Sequence, residues 1–283
     1  LVPLIPYLVI AFVVVGVQFA TLPKVIESAG KEVLNNPYLY AEGPLKRATI
    51  ISTSLYYIKF LLFPHPLSAD YSFAQIPYKD FSHYSVWLSL AVHIGMVILM
   101  FMYLPKKQLL KSDEKATVGG KEIICFAIAF YFLHLIMVNN FVFDIGATLG
   151  ERLIYHSSVG FTIVVAWLLV KGSEKLKSAA TGALMLGTVV GIITVLMGFK
   201  TIDRNKAWKN DSTLFTTDIK TVPNSVLVNA NVAASYITLA DYAETPERTQ
   251  KYLTDAIAIL DHTLEIHPRF VAAYLNRGIA WYK

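Results

Sequence analysis

The stretch AATGALMLGTVVGIITVLMGF, Ala179 to Phe199, holds 21 residues without one charged side chain. As a helix it rises about 32 Å, enough to cross a hydrocarbon core about 30 Å thick. In lipid the backbone must satisfy its own hydrogen bonds, so such a segment is helical. Four more stretches of similar character lie at 3–21, 85–104, 122–138 and 153–170. With 55% hydrophobic and 16% charged residues, the chain reads as a membrane protein over most of its length. The segment Ala48–Phe63 is apolar on one side but carries Thr49, Ser52, Thr53, Ser54 and Lys59. It reads as an interfacial or re-entrant helix and not as a sixth span.

Lysines set the orientation. Lys106, Lys107, Lys111, Lys115 and Lys121 crowd one connection, and Lys171, Lys175 and Lys177 the other. By the positive-inside rule both face the cytoplasm. Residues 22–84, 139–152 and everything after about 200 then lie outside, Ser68 and Ser225 among them, with Ser112 inside. The net charge of +5 is modest and gives no footprint for nucleic acid. The one cysteine, Cys125, lies in an apolar span, so redox compartment is not readable from it. The chain begins inside an apolar run at Leu1 and ends inside a helical pattern at Lys283, as expected of a piece of a longer protein.

After residue 200 the sequence turns polar and helix-forming. At an offset of 45 residues VPNSVLVNANVAASY (222–236) aligns with HPRFVAAYLNRGIAWY (267–282), pairing Pro223 with Pro268 and Asn231 with Asn276. Ala233 and Gly278 fall where paired helices approach closely. The spacing of Leu253, Ala256, Ile257, Leu260 and Leu264 is helical. The pattern resembles a tetratricopeptide repeat, whose period is 34; the extra length is assigned to an insert at 241–250. Any antiparallel helix pair is the alternative.

Three outer segments could carry chemistry. LYYIKFLLFPHPLSADYS (55–72) ends a helix at two prolines and delivers His65, Asp70, Tyr71 and Ser72 to the outer surface. Its Tyr56, Tyr57 and Lys59 suit lipid head groups; a plain helix-ending loop is the other reading. GERLIYHSSVGF (150–161) sets Glu151 and Arg152 at the mouth of a span, with Tyr155 and His156 in its first turns. Ionisable groups at membrane depth point to a site. The Arg152 fork suits a phosphate, with Glu151 able to hold it in place; an anchoring Glu–Arg pair is the alternative. DRNKAWKNDSTLFTTDI (203–219) reads as a structural collar where the last span meets the repeats. No residue spacing resembles a zinc site, and metal ligands are set at none. A Mg²⁺ or Mn²⁺ ion held by carboxylates from distant loops stays open.

Together NNP…RATIISTSLYYIKFLLFPHPLSADYS…IP (35–77), GERLIYHSSVGF, DRNKAWKNDSTLF and the repeats resemble the transmembrane and tetratricopeptide-repeat-containing (TMTC-like) protein O-mannosyltransferases of the GT-C superfamily. The resemblance covers nearly the whole chain. It implies an all-α protein: polytopic GT-C-like membrane helices over 1–200, with an outer loop and helix at 22–84, then a tetratricopeptide-repeat solenoid beginning at 201–283. It implies inverting transfer of a mannose-like sugar from a polyprenyl-phosphate donor to Ser or Thr of extracytoplasmic proteins, with a loop carboxylate as base. That carboxylate is expected upstream of residue 1, and neither Asp70 nor Asp144 is substituted for it. What remains here would be donor-phosphate recognition by Arg152 with Glu151, and by Arg47 and Lys59. His65, Asp70, Tyr71, Ser72, Tyr155 and His156 would form the wall. Expected partners are the bilayer, the lipid-linked donor and proteins bound by the repeats. A bacterial inner membrane with periplasmic repeats is the expected location, an endoplasmic reticulum membrane with lumenal repeats the alternative. A non-catalytic scaffold and, behind it, a transporter are the competing functions.

Overall fold

The computed structural model describes residue 13 and residues 32–34, 36–41, 43–104, 119–142 and 144–283. The expected span at 3–21 and Lys106, Lys107, Lys111 and Lys115 therefore lie outside the described residues, Val13 aside. Everything described is helix or connection. The helices are α1 (Gly43–Leu62), α2 (Tyr84–Met102), α3 (Gly120–Val138), α4 (Tyr155–Glu174), α5 (Ala179–Ala207), α6 (Asp211–Asp218), α7 (Val226–Asp241), α8 (Pro246–Ile266) and α9 (Val271–Tyr282). A 3₁₀ turn, Glu151–Ile154, leads into α4.

Four helical segments are long and apolar enough to cross a membrane: α2, α3, α4 with its 3₁₀ turn, and α5. They match the expected spans, except that α5 runs eight residues past Phe199 to Ala207. Consecutive spans pack on one another, α3 and α4 most closely. Gly160 permits that approach, because a Cβ there would run into the Ala127 carbonyl oxygen. The outermost span, α5, buries almost none of its apolar window against the described chain. Such a surface is suited to hydrocarbon and not to water.

Helix α1 is not among the four, and its run of hydroxyl residues does not face solvent. Thr49, Ser52, Thr53 and Ser54 are all buried. Three are satisfied by their own helix, Thr49 donating to Leu45 O at 2.8 Å, Thr53 to Thr49 O at 2.8 Å and Ser54 to Ile50 O at 3.1 Å. Ser52 meets Ser85 of α2 at 3.0 Å, and Ser89 of α2 donates to Ile51 O at 2.5 Å. The hydroxyl face is thus the packing face. Leu62 and Phe63 at the far end stay exposed.

After α5, helices α6 to α9 fold back over the loop that follows α1. Helices α7 and α8 bury Val226, Ala230, Ala233 and Ile237 against Leu253, Ala256, Leu260 and Leu264. The starts of α7 and α9, Val226 and Val271, repeat at the 45-residue offset. Two details differ from expectation. The residues 241–250 are not an insert: only 242–245 form a connection. Thr245 caps α8 through Arg248 N and Pro246 follows at its first turn, so the extra length goes into a helix of 21 residues. Gly278 has open space around it; Ala273 and Ala280 are the small buried residues of α9.

Ser68 and Ser225 are buried, so topology is better probed at exposed Ser82 and Asn224. In a Cys125→Ala background, Ser82→Cys and Asn224→Cys will react with a membrane-impermeant thiol reagent added outside. Lys177→Cys will react only after permeabilisation, and its labelling from outside would reverse the orientation.

Candidate functional site

The loop from Phe63 to Pro77 follows α1 directly, since His65-Pro66 and the flanking Pro64 leave the helix no way to continue. With no regular structure of its own, the loop takes its hydrogen bonds from three neighbours. The deepest is Asp218, the last residue of α6 and wholly buried. Arg204 of α5 grips it with both guanidinium arms, Nη1 at 2.5 Å and Nη2 at 3.0 Å. The loop adds Ala69 N at 2.6 Å and Ser68 Oγ at 3.3 Å. A buried carboxylate is costly unless paired and fully bonded; here an arginine fork, a peptide N–H and a hydroxyl meet that need.

The second neighbour is Glu151. Its Oε1 accepts Ser68 N and Tyr71 OH, each at 2.6 Å. The loop, and not Arg152, is what Glu151 holds. Arg152 lies exposed beside it and donates to Ala69 O at 3.2 Å. Burial and the adjoining Glu151 carboxylate push the Tyr71 hydroxyl well above the ordinary tyrosine range. It therefore stays a donor at neutral pH. The third neighbour is the start of α7. Asp70 Oδ2 accepts Ser72 N at 2.8 Å and Ser225 Oγ at 3.2 Å, and Ser72 Oγ lies 2.8 Å from Ser225 Oγ. Val226 N donates to Phe73 O at 3.2 Å, and Asn224 N to Gln75 Oε1 at 3.0 Å.

Of the candidate residues, Glu151, Arg152, Asp70, Tyr71 and Ser72 come together in this one network. Tyr155 and His156 begin α4, both exposed, and the His156 ring stacks on His134 of α3 with centroids 5.7 Å apart. His65 faces α5, its Nδ1 2.7 Å from Lys200 Nζ. Arg47 and Lys59 are exposed near opposite ends of α1, twelve residues and so about 18 Å apart along the axis. One phosphate cannot touch both. Asp144 is bound by Lys46 at 2.7 Å. Among the described residues there is no cluster of three or more His, Cys, Asp or Glu side chains able to hold a metal.

Sequence reasoning missed Asp218 and the pairing role of Arg204. The collar reading of 203–219 was the one available signal. Ser225 was missed as well; it caps α7 by accepting Val228 N, and a serine before a helical run is the signal that could have found it.

No protein-family model matches the chain, and no solved structure matches it. Curated proteins do. Protein O-mannosyl-transferase TMTC1 of Mus musculus is 26% identical over 247 residues, 86% of this chain and 24% of that protein. Its counterpart from Homo sapiens is 26% identical over 77% of this chain and 22% of its own length. Protein O-mannosyl-transferase TMTC3 of Homo sapiens is 24% identical over 56% and 16%. The chain spans about a quarter or less of the length of these relatives.

Asp218→Ala leaves Arg204 and two loop donors facing a gap. It will lower unfolding stability in detergent by about 3–5 kcal/mol, measured by chemical denaturation. Tyr71→Phe will cost about 1.5–3 kcal/mol, the range for a bond to a charged acceptor. The Tyr71 pKa is raised on folding, so its contribution is complete below about pH 10, the unfolded tyrosine value. The gap between wild type and Tyr71→Phe will be level from pH 7 to 9 and shrink as pH rises further; a gap that widens there would contradict the assignment. On these comparisons the chain is similar to the TMTC1–4 protein O-mannosyl-transferases, and its four membrane-capable helices make it an integral membrane protein.

Proposed function

We propose that the chain is the donor-binding and acceptor-presenting part of a membrane glycosyltransferase. It would move a mannose-like sugar from a polyprenyl-phosphate carrier to Ser or Thr of extracytoplasmic proteins. The observation that carries the reading is Arg152. Its guanidinium is exposed at the outer mouth of a span, fixed by a loop carbonyl and in no ion pair among the described residues. A cation so placed suits the growing negative charge on a leaving lipid phosphate. Relatives named protein O-mannosyl-transferases support the chemistry.

In this reading Glu151 does not serve as base, and neither does Asp70. Both spend their oxygens on the loop. The base on the acceptor hydroxyl would come from another part of the full-length protein. Any divalent cation would likewise need carboxylates from elsewhere. Helices α7 to α9 would act as tetratricopeptide repeats that receive the acceptor or a partner protein, on the periplasmic side of a bacterial inner membrane or the lumenal side of the endoplasmic reticulum. The engagement of both carboxylates in structural bonds is also what favours the second reading, a membrane-anchored scaffold without catalysis.

Arg152→Ala in the full-length protein will abolish sugar transfer from a lipid-linked donor while membrane insertion and expression persist. Transfer at the wild-type rate removes Arg152 from the site. Absence of transfer by the wild-type protein with any polyprenyl-phosphate sugar favours the scaffold.

A further inference from the structure

A basic pair distinct from Arg152 lies on the outer side, formed by α5 and by the start of the loop that Arg152 contacts further along at Ala69. Lys200 of α5 donates to His65 Nδ1 at 2.7 Å; His65 is exposed and Lys200 half-buried. When Nδ1 accepts, the imidazole proton sits on Nε2. The pair then offers Nε2–H and two remaining ammonium protons as free donors. Acids nearby do not neutralise it among the described residues. Asp203, the nearest along the helix, is ion-paired with Lys206 at 3.2 Å.

The depth of the pair follows from helix geometry. Lys200 stands 21 residues after Ala179, the first residue of α5, which is about 32 Å along the axis. The hydrocarbon core is about 30 Å thick. With the lysine-rich connection at the inner boundary, Lys200 falls at the outer boundary, where lipid phosphates lie. The neighbouring surface fits that depth. Phe199 and Ile202 on α5, and Leu62 and Phe63 at the end of α1, are 71%, 64%, 68% and 63% exposed. The Phe63 ring sits edge-on to His65 with centroids 6.0 Å apart. Apolar side chains beside the pair and its free N–H donors match the two halves of a phospholipid.

We propose that His65 and Lys200 bind the phosphodiester of an anionic phospholipid of the outer leaflet, at a site separate from Arg152. The site needs only the membrane placement of α5 and is independent of sugar transfer. By occupying it, the lipid ties the loop that carries Ser68, Ala69 and Tyr71 to the membrane surface.

The test is native mass spectrometry of the full-length protein in detergent, titrated with phosphatidylglycerol or with phosphatidylcholine. One phosphatidylglycerol will be retained in preference to phosphatidylcholine. Lys200→Gln and His65→Ala will each bind it about tenfold more weakly, the scale of one lost charge-assisted bond. Lys200→Arg will keep it, which separates loss of the site from misfolding. Equal retention by wild type and Lys200→Gln overturns the proposal. So does displacement of phosphatidylglycerol by equimolar polyprenyl phosphate, which would assign the pair to the donor instead. Because Arg152→Ala is assayed by transfer and this site by lipid retention, failure of one leaves the other standing.

Discussion

A buried carboxylate at the end of a short helix holds this molecule together. Asp218 has no solvent contact, and its oxygens are claimed by Arg204 on one side and by Ser68 and Ala69 on the other. Helix α5, helix α6 and the proline loop meet at that one group. Take it away and an arginine of intermediate exposure and a peptide N–H face each other without a partner. The arrangement explains why the loop can be so poor in regular structure and still be ordered: its backbone is satisfied by side chains fixed elsewhere.

The same logic separates structural charge from candidate chemistry. Glu151 and Arg152 are adjacent in sequence, yet they do different things. Glu151 turns to the loop, accepting Ser68 N and Tyr71 OH, while Arg152 stays exposed with one bond to a carbonyl. Asp70 is likewise absorbed by Ser72 and Ser225. The cations are the groups left with capacity to spare, and that favours recognition of an anion over proton transfer in this part of the protein.

Hydropathy made the described spans legible, because 18 or more apolar residues have few alternatives to a membrane helix. The offset between α7 and α9 was legible too, since proline and small residues mark helix starts directly. What could not be read was long-range satisfaction. Asp218 binds residues 149 and 150 positions earlier, and no local pattern reveals such partners. The packing role of the hydroxyl run of α1 was hidden for a related reason. Thr49, Thr53 and Ser54 return their bonds to carbonyls of their own helix, which lets a polar face be buried. Gly278 misled because two small residues on either side of it, Ala273 and Ala280, take the packing positions.

Helix α5 leaves the membrane without a break and ends only four residues before α6 begins. With Arg204 on the first and Asp218 on the second, helices α6 to α9 have no linker on which to swing. A segment caught by α7 to α9 would therefore not explore a volume around the membrane. It would be delivered at one height and one angle above it. Effective concentration at the membrane surface would then be set by the geometry of a joint and not by the length of a tether.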